Sequence, residues 1–175
     1  MRADPQEVVG DKRMLALYHY WDSKRAGRLM PARGDIDPTE IPTLLPFILL
    51  IDVINDGADF RYRLVGTDIV RWVGNDLTGR TFTEVLPAGN YASYIAGLVR
   101  DAIGQRRPLY SEGGFVVDGR VDRQVRRLVL PLSADGTTVN MVLCGQIAIA
   151  AAKSGPTTKV PDGAPFNETL RVFLP

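Results

Sequence analysis

The sequence predicts an α+β fold: a five-stranded antiparallel sheet with helices on one face and an added N-terminal helix. Five segments have the apolar or alternating pattern of strands. The last three strands are joined at Asp-Gly pairs, which favour hairpin turns. Between the second and third strands lies a stretch with helical periodicity. Two strands, a helical insertion and three further strands are typical of one sheet covered by helices.

The N-terminal region is expected to contain the added helix. Residues 1–10 are polar and predicted to be a flexible N-terminus, and residues 11–46 a helical extension. Within it, residues 11–27 have an apolar stripe at helical spacing, formed by Met14, Leu17, Tyr18 and Trp21. Residues 37–40 predict a short second helix, because Asp37 can cap free N–H groups and proline suits the first helical position.

The sheet domain is predicted to span residues 47–150. Its strands are expected at 47–54, 59–66, 109–117, 121–132 and 138–150. The first is apolar except at Asp52, which is typical of a strand buried on both faces. The longest helix of the insertion is expected at 90–104. Residues 151–175 are predicted to be a linker and C-terminal tail that either docks on the domain or binds a partner.

Composition and charge exclude several function classes. The chain has 21 Lys+Arg against 20 Asp+Glu, so no overall field attracts nucleic acid or anionic lipid. No apolar run, including residues 47–51, is long enough to span a bilayer. The single cysteine cannot form an intramolecular disulfide and fits a reducing compartment. We therefore expect a cytoplasmic protein with neither a nucleic acid nor a membrane as partner.

Four motifs carry a resemblance to a known family. They are YWDSKR at 20–25, MPARGDIDP at 30–38, YRLVGT at 62–67 and DLTGR at 76–80. Together with the element order, they resemble the PAS domain over residues 11–150, and in particular the stand-alone bacterial family found mainly in alphaproteobacteria. The resemblance implies a PAS-like fold and a non-catalytic sensory or protein-interaction role, as a signalling adaptor with a small apolar pocket.

The predicted pocket has apolar walls and few polar groups. Arg63 is the candidate polar group, since an arginine can hold a ligand carboxylate by a bidentate contact. The alternative is a structural pair between Arg63 and a protein carboxylate. The predicted ligand-binding residues are Arg63, Ile69, Trp72, Val73, Phe82, Tyr91, Ile95, Leu98, Val117, Leu130 and Cys144. No catalytic or metal-binding residue is predicted.

Neither haem nor flavin is expected as a cofactor, which leaves an unidentified small molecule. Light-sensing relatives use a cysteine in the region corresponding to residues 68–82, and haem-binding relatives a histidine of the longer helix; both are absent here. The only histidine, His19, is assigned a surface or packing role, and Cys144 is interpreted as a small buried hydrophobe. One histidine and one distant thiol make a poor metal site.

A dense basic stretch occupies residues 120–127. On a strand, Arg123 and Arg127 share one face, whereas Arg126 points to the other. Two interpretations are open: a solvated sheet face, or a contact with an anion or an acidic partner.

Three functions remain as hypotheses. The first is a PAS sensor or adaptor that signals to a partner such as a histidine kinase, and the second is a ligand-free structural interaction module. The third is a small isomerase or hydrolase, which would need a pocket carboxylate with a raised pKa. The N-terminal helix either packs on its own sheet or on a second copy, and we predict a homodimer through it.

Overall fold

The architecture is a six-stranded antiparallel sheet with helices on both faces. The structure is a computed structural model that describes residues 4–86, 88–117, 120–150 and 165–175. The strand order is β2-β1-β5-β4-β3-β6. The strands are β1 (Ile48–Ile54), β2 (Asp59–Val65), β3 (Leu109–Val117), β4 (Arg120–Leu132), β5 (Met141–Ala150) and β6 (Phe166–Phe173). The helices are α1 (Pro5–Val8), α2 (Lys12–Lys24), α3 (Thr67–Val73), α4 (Phe82–Val85) and α5 (Asn90–Gln105). Within these ranges, no helix is long and apolar enough to cross a bilayer.

Helix α2 packs on the sheet of its own chain. Asp11 caps it by accepting a hydrogen bond from the Arg13 amide. The predicted apolar stripe is buried against β4 and β5. Trp21 is fully buried, and its Nε1 donates to the Pro131 carbonyl oxygen at 3.0 Å. Of the two alternatives for this helix, packing on its own sheet is observed for the apolar stripe, so a homodimer through the helix would have to use its other residues.

The close fit of α2 is visible at Gly145 in β5. A Cβ atom on this residue would lie 2.7 Å from Met14 Sδ and 2.8 Å from Leu17 Cδ2. Glycine thus lets the helix approach the sheet more closely than any side chain would allow.

The predicted second helix is only one 3-10 turn, Pro38–Glu40. Asp37 caps it as expected and accepts from the Thr39 amide at 2.9 Å. Glu40 forms an ion pair with Lys24 of α2, which ties this turn to the helix. The apolar chain then enters β1, where Ile48 to Ile51 are all buried between β2 and β5.

The C-terminal tail supplies a strand that the sequence did not predict. β6 pairs with β3 and extends the sheet from five strands to six. Leu174 is fully buried behind it, and its amide donates to the Pro108 carbonyl oxygen at 2.9 Å. Of the two alternatives for the tail, docking is the one observed for residues 165–175. The linker was predicted before it, and residues 151–164 lie outside the described residues.

The remaining boundaries differ from the predictions by a few residues. β3 has its predicted bounds, whereas β5 begins at Met141 because the preceding loop is held by its own hydrogen bonds. In that loop the Asp135 carboxylate accepts from the Thr137 and Thr138 amides at 2.8 and 2.7 Å. These bonds lower the pKa of Asp135. The other predicted hairpin turn, residues 118–119, lies outside the described residues, and the division of the chain into separate units stays a prediction.

Candidate functional site

A cavity of about 670 Å³ lies between the sheet and helices α3, α4 and α5. This volume is within the range of roughly 300–1,000 Å³ that is typical of small-molecule sites. Alternate residues of the strands form its floor, because successive side chains of a strand point to opposite faces. The floor residues are Leu49, Ile51, Tyr62, Phe115, Arg123, Arg127, Val129, Cys144 and Gln146.

Eight of the predicted ligand-binding residues line this cavity. They are Ile69, Trp72, Val73, Phe82, Tyr91, Ile95, Leu98 and Cys144. The helical residues among them come from α3, α4 and α5, whose apolar faces turn toward the sheet. The structure thus brings these side chains around one space, and their contact with a ligand stays a prediction.

Two of the predicted residues lie elsewhere. Arg63 is exposed on β2, and its Nε donates to Asp52 Oδ1 at 2.8 Å. This is the structural pair with a protein carboxylate that was the alternative to a ligand contact. The neighbouring Tyr62 is the β2 residue that reaches the cavity. Leu130 is fully buried opposite Leu143, on the face that α2 covers. Alternation along the strands places both outside the cavity, and the side chain of Val117 lies outside the described residues.

The polar groups of the cavity include two arginines that were not among the predicted site residues. Arg123 and Arg127 are each only 2% exposed, and both line the cavity. The interpretation of their strand face as solvated is therefore wrong. The signal in the sequence was their shared face with Val125 and Val129, since two valines on a strand face favour its burial.

Arg127 is held by contacts from both sides of the cavity. Its Nε donates to Gln146 Oε1 at 3.0 Å, from the paired position in β5. Its Nη2 donates to Tyr91 Oη at 2.6 Å, from α5. Burial raises the pKa of Tyr91, so its phenol is neutral and accepts this bond at neutral pH.

Arg123 adds a second positive charge on the same face of β4. Its Cζ lies 6.0 Å from the ring centroid of Trp72 in α3. It is four residues from Arg127, which corresponds to about 13 Å along a strand. None of the described residues that line the cavity is an aspartate or a glutamate. The described lining of the cavity therefore combines apolar side chains with two arginines.

The thiol and the imidazole do not provide a reactive centre in this space. Cys144 is buried in the cavity floor, and burial raises the pKa of its thiol to about 12, so the thiolate needed for nucleophilic attack is scarce at neutral pH. His19 is exposed on α2, on the other side of the sheet. Across the described ranges, no three His, Cys, Asp or Glu residues are grouped as a metal site would require. The arrangement is suited to binding by charge, hydrogen bonds and apolar contact.

The family of the chain follows from a comparison with family models. A model described as PAS domain matches residues 11–147, which is well over half of the chain. The chain belongs to the PAS domain family, and it is a sensory or signalling domain with the α+β PAS fold. The predicted family, fold class and sensory function are confirmed at this level. Its assignment to the stand-alone, alphaproteobacterial type stays a prediction.

Two solved structures are similar to this chain at low sequence identity. One is a sensory box sensor histidine kinase from Vibrio cholerae, with 17% identity and a TM-score of 0.44, over 65% of this chain and 90% of that one. The other is the RsLOV d2 variant, with 16% identity and a TM-score of 0.43, over 69% of this chain and 71% of that one. No curated protein matches.

Proposed function

We propose that this PAS domain binds a small molecule in the cavity and reports its presence to a signalling partner, without catalysing a reaction. The observation that carries the proposal is the cavity of about 670 Å³ between the sheet and α3 to α5. A ligand there changes signalling only if it binds two states of the domain with different affinities.

The cavity favours this function over a ligand-free interaction module. Protein interiors are close-packed, and few voids in them are larger than a water molecule. A module that only needed a stable surface would have its core filled by side chains. The enzyme alternative needs a pocket carboxylate with a raised pKa, but none of the described lining residues is acidic.

The lining residues also bear on the choice of cofactor, and we propose neither haem nor flavin. The described lining residues include no histidine or methionine that could bind haem iron. Cys144 has a thiol pKa of about 12, which disfavours both a haem thiolate and an adduct with a flavin. A colourless small molecule fits these side chains better.

A signalling protein such as a histidine kinase is the proposed partner, since the chain belongs to a signalling family. A homodimer and a cytoplasmic location belong to the same proposal. The homodimer is tested by sedimentation velocity at micromolar concentration. A single species of 19.2 kDa would contradict it.

The test of ligand binding is native mass spectrometry of the protein purified from cells, with an absorption spectrum of the same sample. We expect the wild type to carry a small molecule and to lack absorption above the aromatic band. The variant Val129→Phe fills part of the cavity floor and should lose the bound mass. Arg63→Met changes a surface residue and should retain it.

Two results would contradict the proposal. The first is a wild-type mass equal to that of the chain alone, combined with no thermal stabilisation by any member of a small-molecule library. The second is an equal bound mass in wild type and Val129→Phe, which would place the ligand outside the cavity. A haem or flavin spectrum would instead overturn the cofactor proposal.

A further inference from the structure

The guanidinium of Arg127 has one nitrogen without a hydrogen-bond partner. Nε is bound to Gln146 and Nη2 to Tyr91, but Nη1 is buried with no acceptor among the described residues. The side chain lines the cavity and is only 2% exposed. Buried N–H groups without partners are rare in proteins, because each one costs about 1–3 kcal/mol.

The charge of Arg127 also lacks a counter-ion in the described part of the chain. None of the ion pairs there includes this residue. Glu168, on β6, is not the counter-ion of Arg127. Its carboxylate accepts from Ser111 Oγ at 2.9 Å and pairs with Arg171 Nε at 2.7 Å. An arginine stays protonated even when it is buried, so Arg127 keeps its charge within the cavity.

Aromatic rings keep the guanidinium in place, and Tyr94 interacts with it electrostatically, but no hydrogen bond of good geometry is formed at Nη1. The guanidinium Cζ lies 5.5 Å from the ring centroids of Tyr91 and Tyr94 and 5.7 Å from that of Phe166. The Tyr94 hydroxyl is hydrogen-bonded to Ser111 Oγ at 2.7 Å. Cation–π attraction offsets part of the cost of removing the cation from water. The rings and the two hydrogen bonds therefore pre-organise Nη1, which forms no hydrogen bond of good geometry with the described residues.

The first turn of α5 also favours a negative charge in the cavity. Gly89 and Asn90, at the start of this helix, line the cavity. Gly89 is the N-cap and provides no side-chain acceptor for the free amides of the first turn. A helix N-terminus favours a negative charge, so it acts in the same direction as Arg127.

We propose that the cavity binds a small apolar molecule that carries one carboxylate, and that Nη1 of Arg127 donates to that carboxylate. The inference rests on the proposed function, because it needs a ligand in the cavity. The apolar body of the ligand lies against lining residues such as Leu49, Ile51, Ile95 and Val129. Carboxylates are bound by arginine through charge-assisted hydrogen bonds, which are stronger than neutral ones.

The test compares acids with alcohols of the same shape. The probes are decanoate with 1-decanol, and 3-phenylpropionate with 3-phenylpropanol, measured by isothermal titration calorimetry. The proteins are wild type, Arg127→Met, and Arg63→Met as a matched control, stripped of bound ligand and checked by circular dichroism. Arg63 is a surface arginine in the same sheet, outside the cavity.

We expect the wild type and Arg63→Met to bind at least one of the acids at least about tenfold more tightly than its alcohol. In Arg127→Met, that acid should bind about ten- to hundredfold more weakly, because a hydrogen bond to a charged group is lost. The alcohol should keep its affinity, since the variant removes charge and leaves the apolar walls in place. Arg127→Gln serves as a second variant in case the methionine protein does not fold.

The possible failures separate the two proposals. If alcohol and acid bind equally, or if the acid binds Arg127→Met or Arg127→Gln as it binds the wild type, the cavity has a ligand but the carboxylate inference is wrong. If no probe binds the wild type and the purified protein carries no small molecule, both proposals are wrong.

Discussion

The two faces of the sheet are built for different tasks, although they share the same strands. One face lies under α2 and is filled by large apolar side chains, among them the fully buried Trp21 and Leu130. The other face lies under α3 to α5 and leaves a cavity of about 670 Å³ with two buried arginines in its floor. The difference lies between consecutive residues of β4, since Arg127 faces the cavity and Leu128 faces α2.

This contrast indicates where stability and binding are located. Burial of a large apolar side chain contributes about 1.5–3 kcal/mol, so the packed face supplies stability. The cavity face contains a void and a cation, both of which cost free energy in the absence of a ligand. Substitutions on the two faces should therefore change the free energy of unfolding by different amounts. At Arg127 the change should have the opposite sign.

The largest effect is expected at the centre of the packed face. Trp21→Ala should reduce the free energy of unfolding by about 3–5 kcal/mol, because it leaves a large void under α2 and removes the bond to the Pro131 carbonyl. Urea denaturation followed by circular dichroism measures the change. Trp21→Phe, which retains most of the ring, should lose clearly less. A loss below about 1 kcal/mol in Trp21→Ala would mean that α2 is not part of the stable core.

The same substitution on each face tests the comparison directly. Leu130→Ala should cost about 3–4 kcal/mol, because it opens a new void in the packed layer. Leu98→Ala should cost about 1 kcal/mol less, since Leu98 already borders the cavity and has fewer atoms packed against it. Both leucines are almost fully buried, so exposure does not explain a difference. Equal losses in urea denaturation would argue against a cavity between α5 and the sheet.

The pairing of β6 with β3 is tested by adding one methyl group at Gly113. A Cβ on Gly113 would lie 2.5 Å from Phe166 Cζ and 2.7 Å from the Asn167 carbonyl oxygen. Gly113→Ala should therefore cost about 1–3 kcal/mol and increase amide hydrogen exchange in β6. Gly97→Ala, in α5 with open space around it, should instead stabilise by about 0.5–1 kcal/mol. Unchanged exchange in Gly113→Ala would contradict the pairing of β6 with β3.

A substitution at Arg127 should raise the stability of the protein without ligand. Arg127→Met replaces a buried cation by an apolar side chain of similar length, and we expect a gain of about 1 kcal/mol. The gain is small because Gln146 and Tyr91 lose their partner. Arg63→Met should stay within about 0.5 kcal/mol of the wild type. A clear loss of stability in ligand-free Arg127→Met would show that Arg127 is a structural residue.

The pH dependence that Cys144 contributes leaves the stability at neutral pH unchanged. Its folded pKa of about 12 is above the ordinary value of 9.0, so its contribution to stability is complete below about pH 9 and is lost as the pH rises toward 12. At about pH 8 a thiol reagent should label Cys144 only as fast as the protein opens. Labelling faster than amide exchange of β5 would show that the thiol is accessible in the folded state.

The strands and the longer helices could be predicted from the sequence because their patterns are local. The Asp-Gly pair that follows it helped to predict β3 with its observed bounds, and the stripe of α2 defined the helix and its buried face. Alternation along a strand placed Arg123 and Arg127 on one face. It did not show that α5 closes over that face, because the contact of Tyr91 with Arg127 joins residues 36 positions apart.

Arg63 was predicted to lie in the pocket, but it lies on the surface. An arginine beside apolar residues of a strand is compatible with a pocket or with the surface, and the position of Asp52 in the paired strand decides between them. β6 was missed for a related reason. Its residues are mostly exposed and lack a strong alternation, so the strand is defined by its pairing with β3.

The sequence by itself determined the order of the first five strands, the helix that covers one face, and the family, because hydrophobic periodicity and short motifs depend on neighbouring residues. Only the tertiary structure decided which arginine lies in the cavity, which face stays open for a ligand, and where the C-terminal segment pairs. Those outcomes depend on contacts between residues far apart in the chain, and a pattern within one segment does not contain them.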